Sequence, residues 1–442
     1  MKWMAGTIAL LVLGLVFQLS LLIYAMYVLL GVLLLSRVFT RVWTAGIEAR
    51  RFGADEELEI GGSVEVKVAA HNAGRLAVPW LLLEDSLPRD ALTQSPHHIK
   101  AEGARLAVAR LAPGETKVFT YRVQFLMRGY YQLGPLLVET GDVFGLHRRF
   151  RVMTEPNFAQ VPPKIVALEG YNLSSRRPIG EIRLAHRLFE DPTRVAGVRP
   201  YQHGDPLNRI HWRATARTGQ LQSRQYESSC VAGATFVLDF HARTFAGGPA
   251  AAVSAELAAV AVASLANAVC QMGQQMGFVS NGRDAADRIR EEGWRADFLT
   301  RNDARARAAE PQENTRLRPV ILKAAKGEDQ LLKILAALAR LEQTDGLDFA
   351  AMIREAAQNI SRDTTVVAVL GAVTPEIAAA LGDVARRGWL VTAIVVSMEM
   401  EAVPDWARPP DWAEMLLAQG IDFRVVNSEE AVGNLCAEAI IR

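Results

Sequence analysis

From Trp3 to Ser36 the chain runs for 34 residues without a charged side chain, "WMAGTIALLVLGLVFQLSLLIYAMYVLLGVLLLS". A secretory signal carries only about 7–15 apolar residues before a small-residue cleavage site, so this run predicts an anchor over residues 1–38. One helix of that length would measure about 51 Å against a hydrocarbon core of roughly 30 Å. Either it tilts and overshoots, or it breaks near the polar Gln18–Ser20 into a hairpin of two helices. Arg37, Arg41, Arg50 and Arg51 follow the run, while only Lys2 and the amino terminus precede it. Positive residues stay on the cytoplasmic side. The expectation is an inner-membrane protein whose soluble part faces the cytoplasm.

Past the anchor the period shortens to two. "SVEVKVAAHNAG" and "ETKVFTYRVQF" alternate apolar and polar residues, and Gly and Pro recur at "EIGGS", "LAPGET", "RGYYQLGP" and "DVFGL". Short strands at that spacing predict an antiparallel β-sandwich of the immunoglobulin type over 47–168. Residues 170–197 are charged and weakly periodic, which reads as a linker within a 169–232 segment. From 233 to 442 buried-type strands such as "ATFVLDF", "TTVVAVLG" and "WLVTAIVV" alternate with helices, among them a long Ala-rich one over 251–273. That order predicts a doubly wound α/β domain on a parallel sheet, interrupted by a charged insertion from 281 to about 316.

Composition narrows the function. The formal net charge of the 442 residues is +1, far from the basic stripe of a nucleic-acid binder, so none is expected. Cys230, Cys270 and Cys436 are sparse and lack metal-ligand spacing, which reads as reduced thiols.

The tract "VRPYQHGDPLNRIHWRATARTGQLQSRQYE", residues 198–227, holds the densest chemistry. Asp205 can cap a helix, Pro206 fits its first position and Gly219 can end it. Arg209, Arg213 and Arg217 then share one stripe, and Leu207, Ile210, Ala214 and His211 a neighbouring face that can pack inward. One reading docks this helix on the sheet, its arginines paired with Glu190, Asp191 and Glu227. The other makes an arginine face that receives an acidic partner segment or a phosphate. His203, Asp205 and His211 could move protons, but no serine or cysteine nucleophile sits in a recognisable elbow.

The same tract resembles the signature of the bacterial domain of unknown function 58 family, through Arg199 and Tyr201, Gly204-Asp205, Arg209 to Trp212 and Ala216-Arg217. "RGYYQLGP", "GDVFGL" and the apolar start resemble its sandwich and anchor regions. The resemblance implies a von Willebrand factor A-like α/β domain and a MoxR-type AAA+ ATPase as neighbour. Such domains hold Mg²⁺ through Asp-x-Ser-x-Ser plus a later Thr and Asp. Here the corresponding residues are Asp239, His241 and Arg243 of "DFHART", and no acid lies between Thr365 and Glu376. An arginine adds a positive charge and offers no acceptor, so the site reads as degenerate, with Asp239 and Arg243 pairing with each other or with neighbours and no cofactor or metal expected.

His97-His98 reads as an exposed loop, and Trp406 and Trp412 as packing a loop on a helix. The reading is a non-enzymatic, membrane-anchored scaffold that docks a protein partner, for which the resemblance implies the MoxR-type ATPase. Arg199, Tyr201, Asp205, Arg209, Trp212, Arg213 and Arg217 are its expected partner-binding or interdomain residues. The competing readings are a cell-envelope hydrolase and a divalent-cation-dependent adhesion module.

Overall fold

The computed structural model of the chain describes residues 2–53, 58–93, 97–168, 189–200, 210–229, 233–245, 249–287, 318–362, 364–396 and 411–436. It divides into two compact units, Met1–Pro163 with Ala285–Glu313, and Lys164–Asp284 with Asn314–Arg442.

In the first unit the apolar run breaks where its polar residues fall. Helix α1 (Lys2–Val16) and helix α2 (Ser20–Ala45) pack together as a hairpin. Gln18 takes φ 57° between them, the left-handed conformation that turns the chain. The second helix extends nine residues beyond the charge-free stretch and is long and apolar enough to cross a membrane; only its stripe Leu33, Ser36, Thr40 and Thr44 is buried.

Ten strands follow: β1 (Ile47–Phe52), β2 (Ser63–Asn72), β3 (Val78–Asp85), β4 (Ile99–Gly103), β5 (Leu106–Leu111), β6 (Thr116–Phe125), β7 (Gly129–Leu133), β8 (Leu136–Gly141), β9 (Arg148–Thr154) and β10 (Asn157–Val161). A short helix, α3 (Arg89–Thr93), lies between β3 and β4. They form two four-stranded antiparallel sheets, β1-β2-β6-β4 and β5-β3-β8-β9, with β7 and β10 paired separately. Alternation decides which side faces in: Val64, Val66, Val68 and Ala70 of β2 are buried, and they share one core with Leu81 and Leu83 of β3 and Val138 of β8. Arg51, expected among the free cationic flank of the anchor, is instead buried in an ion pair with Asp85; the remaining flank is Arg37, Arg41 and Arg50.

In the second unit, residues 189–200 are not linker but strand β11 (Phe189–Pro200), paired antiparallel with β12 (Gln222–Ser229). Between them helix α4 spans Trp212–Thr218. It starts six residues later than Pro206 would place it, because the His211 imidazole accepts a hydrogen bond from the Ala214 N–H and acts as the cap. Gly219 at φ 68° closes the helix as expected, since a left-handed residue carries no steric penalty there as glycine.

The main sheet has six strands: β13 (Gly233–Leu238), β14 (Gln275–Ser280), β16 (Val320–Ala325), β18 (Thr365–Leu370), β19 (Val391–Val396) and β20 (Asp422–Val426), in the order β16-β14-β13-β18-β19-β20. β15 (Arg283–Asp284) and β17 (Leu341–Glu342) form a small separate ladder. Four pairings are parallel, but β16 joins antiparallel to β14, so the sheet is mixed rather than wholly parallel. Helices α5 (Pro249–Gln271), α6 (Glu328–Arg340) and α10 (Glu429–Gly433) cover one core; α7 (Phe349–Ala356), α8 (Pro375–Arg386) and α9 (Asp411–Ala418) cover another. Phe236 and Leu238 enter the first core and Val237 the second, so a strand buried on both faces needs the continuous apolar run that its sequence shows. Helix α5 also has the length and hydropathy of a membrane span, but 78% of its apolar window is buried within the protein.

Candidate functional site

The carboxyl ends of β13 and β18 lie at the point where the sheet order reverses direction, with β14 on one side of β13 and β18 on the other. In open α/β sheets that crevice is where ligands bind. Directly after β13, the Asp239 N–H extends the ladder to the Val369 carbonyl at 2.9 Å. The Asp239 side chain is fully buried, and its Oδ1 accepts from the Asn281 side-chain amide at 2.7 Å and from the His241 N–H at 3.2 Å. Asn281 is fixed in turn: its Oδ1 accepts from the Phe240 N–H at 2.6 Å and its amide also donates to the Leu347 carbonyl at 3.0 Å. Oδ2 of Asp239 is buried without a hydrogen-bond partner. Burial pushes the Asp239 carboxyl above the usual range, against the opposing hydrogen bonds from Asn281 and His241.

His241 is buried as well. Its Nδ1 accepts from the Arg243 N–H at 3.1 Å, which leaves the ring proton on Nε2, 3.7 Å from the exposed Asp348 carboxylate. The Thr244 hydroxyl donates to the His241 carbonyl at 2.7 Å. Beyond these residues opens a cleft of about 620 Å³ between α7 and α8, lined by Phe349, Arg354, Ile377, Ala380 and Arg387 among others.

These donors do not fit a hexacoordinate hard cation. Oδ1 of Asp239 is already engaged, His241 turns its free lone pair to its own loop, and Arg243 contributes no oxygen. The nearby hydroxyl of Thr374 accepts from the Ile377 N–H and caps α8. Magnesium requires near-ideal octahedral oxygen geometry, and the loop supplies one unengaged carboxylate oxygen. Of the two alternatives expected for Asp239, it is the neighbour that pairs with it: the Asn281 amide bonds its Oδ1, and no ion pair joins Asp239 to Arg243 among the described residues. Asn281 was not singled out from sequence. Its signal was a polar residue at the carboxyl end of "GFVSN", beside the strand that carries Asp239.

Of the tract residues, Tyr201, Asp205 and Arg209 lie outside the described residues, as do the side chains of Glu190, Asp191 and Glu227. Arg199 is half-buried, with its Nη1 near the Pro200 carbonyl at 3.4 Å. Buried Ile210 and half-buried Ala214 turn toward the protein, whereas Trp212 (67% exposed), Arg213 and Arg217 turn to solvent. The structure thus places Trp212, Arg213 and Arg217 on one exposed helix, α4. His97 is exposed and His98 half-buried, where burial and then Arg128 lower the imidazole's affinity for a proton. Trp412 packs edge-on against Phe423 at 5.1 Å, while Trp406 lies outside the described residues. The Cys270 thiol is free, and the side chains of Cys230 and Cys436 lie outside the described set.

Comparison with known proteins adds four findings. The uncharacterized protein YeaD of Bacillus subtilis (strain 168) is 24% identical over 174 residues, 39% of this chain and 42% of that protein's length. A von Willebrand factor type A structure from Catenulispora acidiphila aligns with 48% of this chain and 42% of its own, at 12% identity and a TM-score of 0.28. The CARDB domain of the PF1109 protein from Pyrococcus furiosus aligns with 26% of this chain and 86% of its own, at 15% identity and a TM-score of 0.17. Residues 197–319, which take in the arginine tract and the Asp239 loop, match the family described as "Protein of unknown function DUF58".

Proposed function

We propose that this chain is a non-enzymatic adaptor held in the inner membrane by α1 and α2, with an immunoglobulin-like sandwich and a doubly wound von Willebrand A-like domain on the cytoplasmic side. Its docked partner is a protein, and a MoxR-type AAA+ ATPase is the class we infer from the family. The observation that carries this reading is the outer face of α4. Its seven residues carry an exposed Trp and two exposed Arg, with Arg213 and Arg217 one turn apart, the residue types that dominate protein–protein hot spots. The helix is anchored from beneath by Ile210, capped by His211 and closed by Gly219, so this face is held ready rather than ordered on contact. A face of that kind suits an acidic segment of a partner, through guanidinium–carboxylate pairs around an aromatic anchor.

The test is affinity recovery of the full chain from native membranes, with the partners identified by mass spectrometry. The wild-type chain should bring down an AAA+ ATPase, and Trp212→Ala with Arg217→Glu should lose it while the circular dichroism melt stays unchanged. A folded double variant that recovers the same partners in the same amounts would refute the proposal.

A further inference from the structure

The turn between β8 and β9, "GDVFGLH", presents Val143 and Phe144 at its tip, 72% and 73% exposed, with Leu146 also exposed. Turn tips are ordinarily built from Gly, Asn, Asp and Ser, and two adjacent large apolar side chains in water call for a partner. We propose that this turn is a second membrane contact, in which Val143 and Phe144 enter the interfacial layer of the bilayer beside α2.

The placement follows from how α2 lies along β9. Ser36 Oγ meets His147 Nδ1 at 2.9 Å, and eight residues on, the Thr44 carbonyl faces Arg151 Nη1 at 3.4 Å. Eight helical residues rise about 12 Å and four strand residues about 13 Å, so helix and strand run side by side in the same direction. Ser36 is the last residue of the charge-free run. Going back from His147 to Phe144 and Val143 therefore leads past Ser36, alongside the apolar part of α2. On the other side of that level stand Arg37 and Arg41 of α2 and Arg148 and Arg149 of β9, a cationic collar that suits anionic headgroups. Apolar tip and basic collar thus fall in the order that a membrane surface requires.

The turn is also stiff. The Asp142 carboxylate accepts from the His147 N–H at 2.6 Å and the Phe144 N–H at 3.1 Å, the Gly145 N–H closes onto the Asp142 carbonyl at 3.2 Å, and Gly145 sits at φ 74°. Its tip cannot fold back to hide the two side chains. The contact would fix the depth and tilt of the first unit against the lipid surface, which a helical hairpin alone leaves free.

This inference rests on α2 lying in a membrane, so the test separates the two. In the full chain in vesicles of anionic and zwitterionic lipid, bimane is attached at Phe144→Cys, at Leu35→Cys on α2 or at exposed Val118→Cys on β6, with the chain lacking an added cysteine as background. Lipids carrying a nitroxide high on the acyl chain should quench Leu35→Cys and Phe144→Cys several-fold more than Val118→Cys. Quenching at Leu35→Cys with none at Phe144→Cys overturns the turn's contact and leaves the anchor standing. Quenching at neither site overturns both.

Discussion

Arg51 and Asp85 form a buried ion pair across the two sheets of the first unit, Arg51 from β1 and Asp85 from β3. Their side chains are 3% and 1% exposed. Arg51 Nε donates to Asp85 Oδ2 at 2.8 Å, and its Nη1 donates to the Leu133 carbonyl at 2.9 Å. The Tyr121 hydroxyl of β6 donates to the same Oδ2 at 2.7 Å. Removing one partner of such a pair strands a charge in the core, at about 3–5 kcal/mol. Arg51→Met should therefore cost about that much in denaturant unfolding, and Tyr121→Phe about 1–3 kcal/mol. The triple variant Arg51→Met, Asp85→Leu, Tyr121→Phe, which removes the three polar side chains together, should recover most of the loss. Burial first, and then the Asp85 charge, hold the Tyr121 phenol well above its ordinary range, so its alkaline titration should appear only as the unit unfolds.

Asp239 gives a pH prediction with a definite sign. Because burial raises its folded-state pKa above the unfolded value, the native chain holds that proton to higher pH than the unfolded chain does. Stability attributable to this group is present below the unfolded pKa and is lost as pH rises through the folded pKa. Asp239→Asn keeps an acceptor for the Asn281 amide and removes the ionisation. It should be more stable than wild type at neutral pH, with the difference shrinking as the pH falls through the carboxylate range. A variant less stable than wild type at pH 7, with no change in slope, would mean that the carboxylate is charged and needed.

The same loop predicts indifference to magnesium. Calorimetric titration of the chain with Mg²⁺ should give no binding heat, and chelator should leave the melting temperature unchanged. A restored Asp-x-Ser-x-Ser, through His241→Ser and Arg243→Ser, should still bind weakly, since the Asn281 amide continues to occupy Oδ1 of Asp239.

Much of the architecture was legible because burial writes its period into the chain. Val64, Val66 and Val68 mark a strand covered on one face, and "TTVVAVL" one covered on both. Gln18–Ser20 marked where the apolar run could break, but its length left one tilted helix and a two-helix hairpin both open. What sequence missed was set by contacts distant in the chain. Arg51 reads as one more cation behind an anchor until Asp85, thirty-four positions on, is seen to neutralise it. The start of α4 depended on which of two polar residues capped it, and His211 is a rarer cap than Asp205. Asn281 is an ordinary loop residue in sequence, and its role appears only where β14 lies beside β13.

Two apolar helices long enough to span a bilayer make opposite predictions, and a charge placed in each tells them apart. Ser20–Ala45 has only 11% of its apolar window buried within the protein, whereas Ala251–Gln271 has 78%. Leu21, 87% exposed, faces outward near the start of α2, and Ala263 is fully buried against the main sheet. Leu21→Asp should leave the melt of the detergent-solubilised chain within about 0.5 kcal/mol of wild type, yet reduce membrane retention in cell fractionation, since an acid on the lipid-facing side of a span opposes insertion, less at its end than at its centre. Ala263→Asp should do the reverse: an unpaired carboxyl in the α5 core should unfold the second unit while the anchor still partitions with membranes. If instead Ala263→Asp folds and Leu21→Asp does not, the assignment of the two helices to protein core and lipid is inverted.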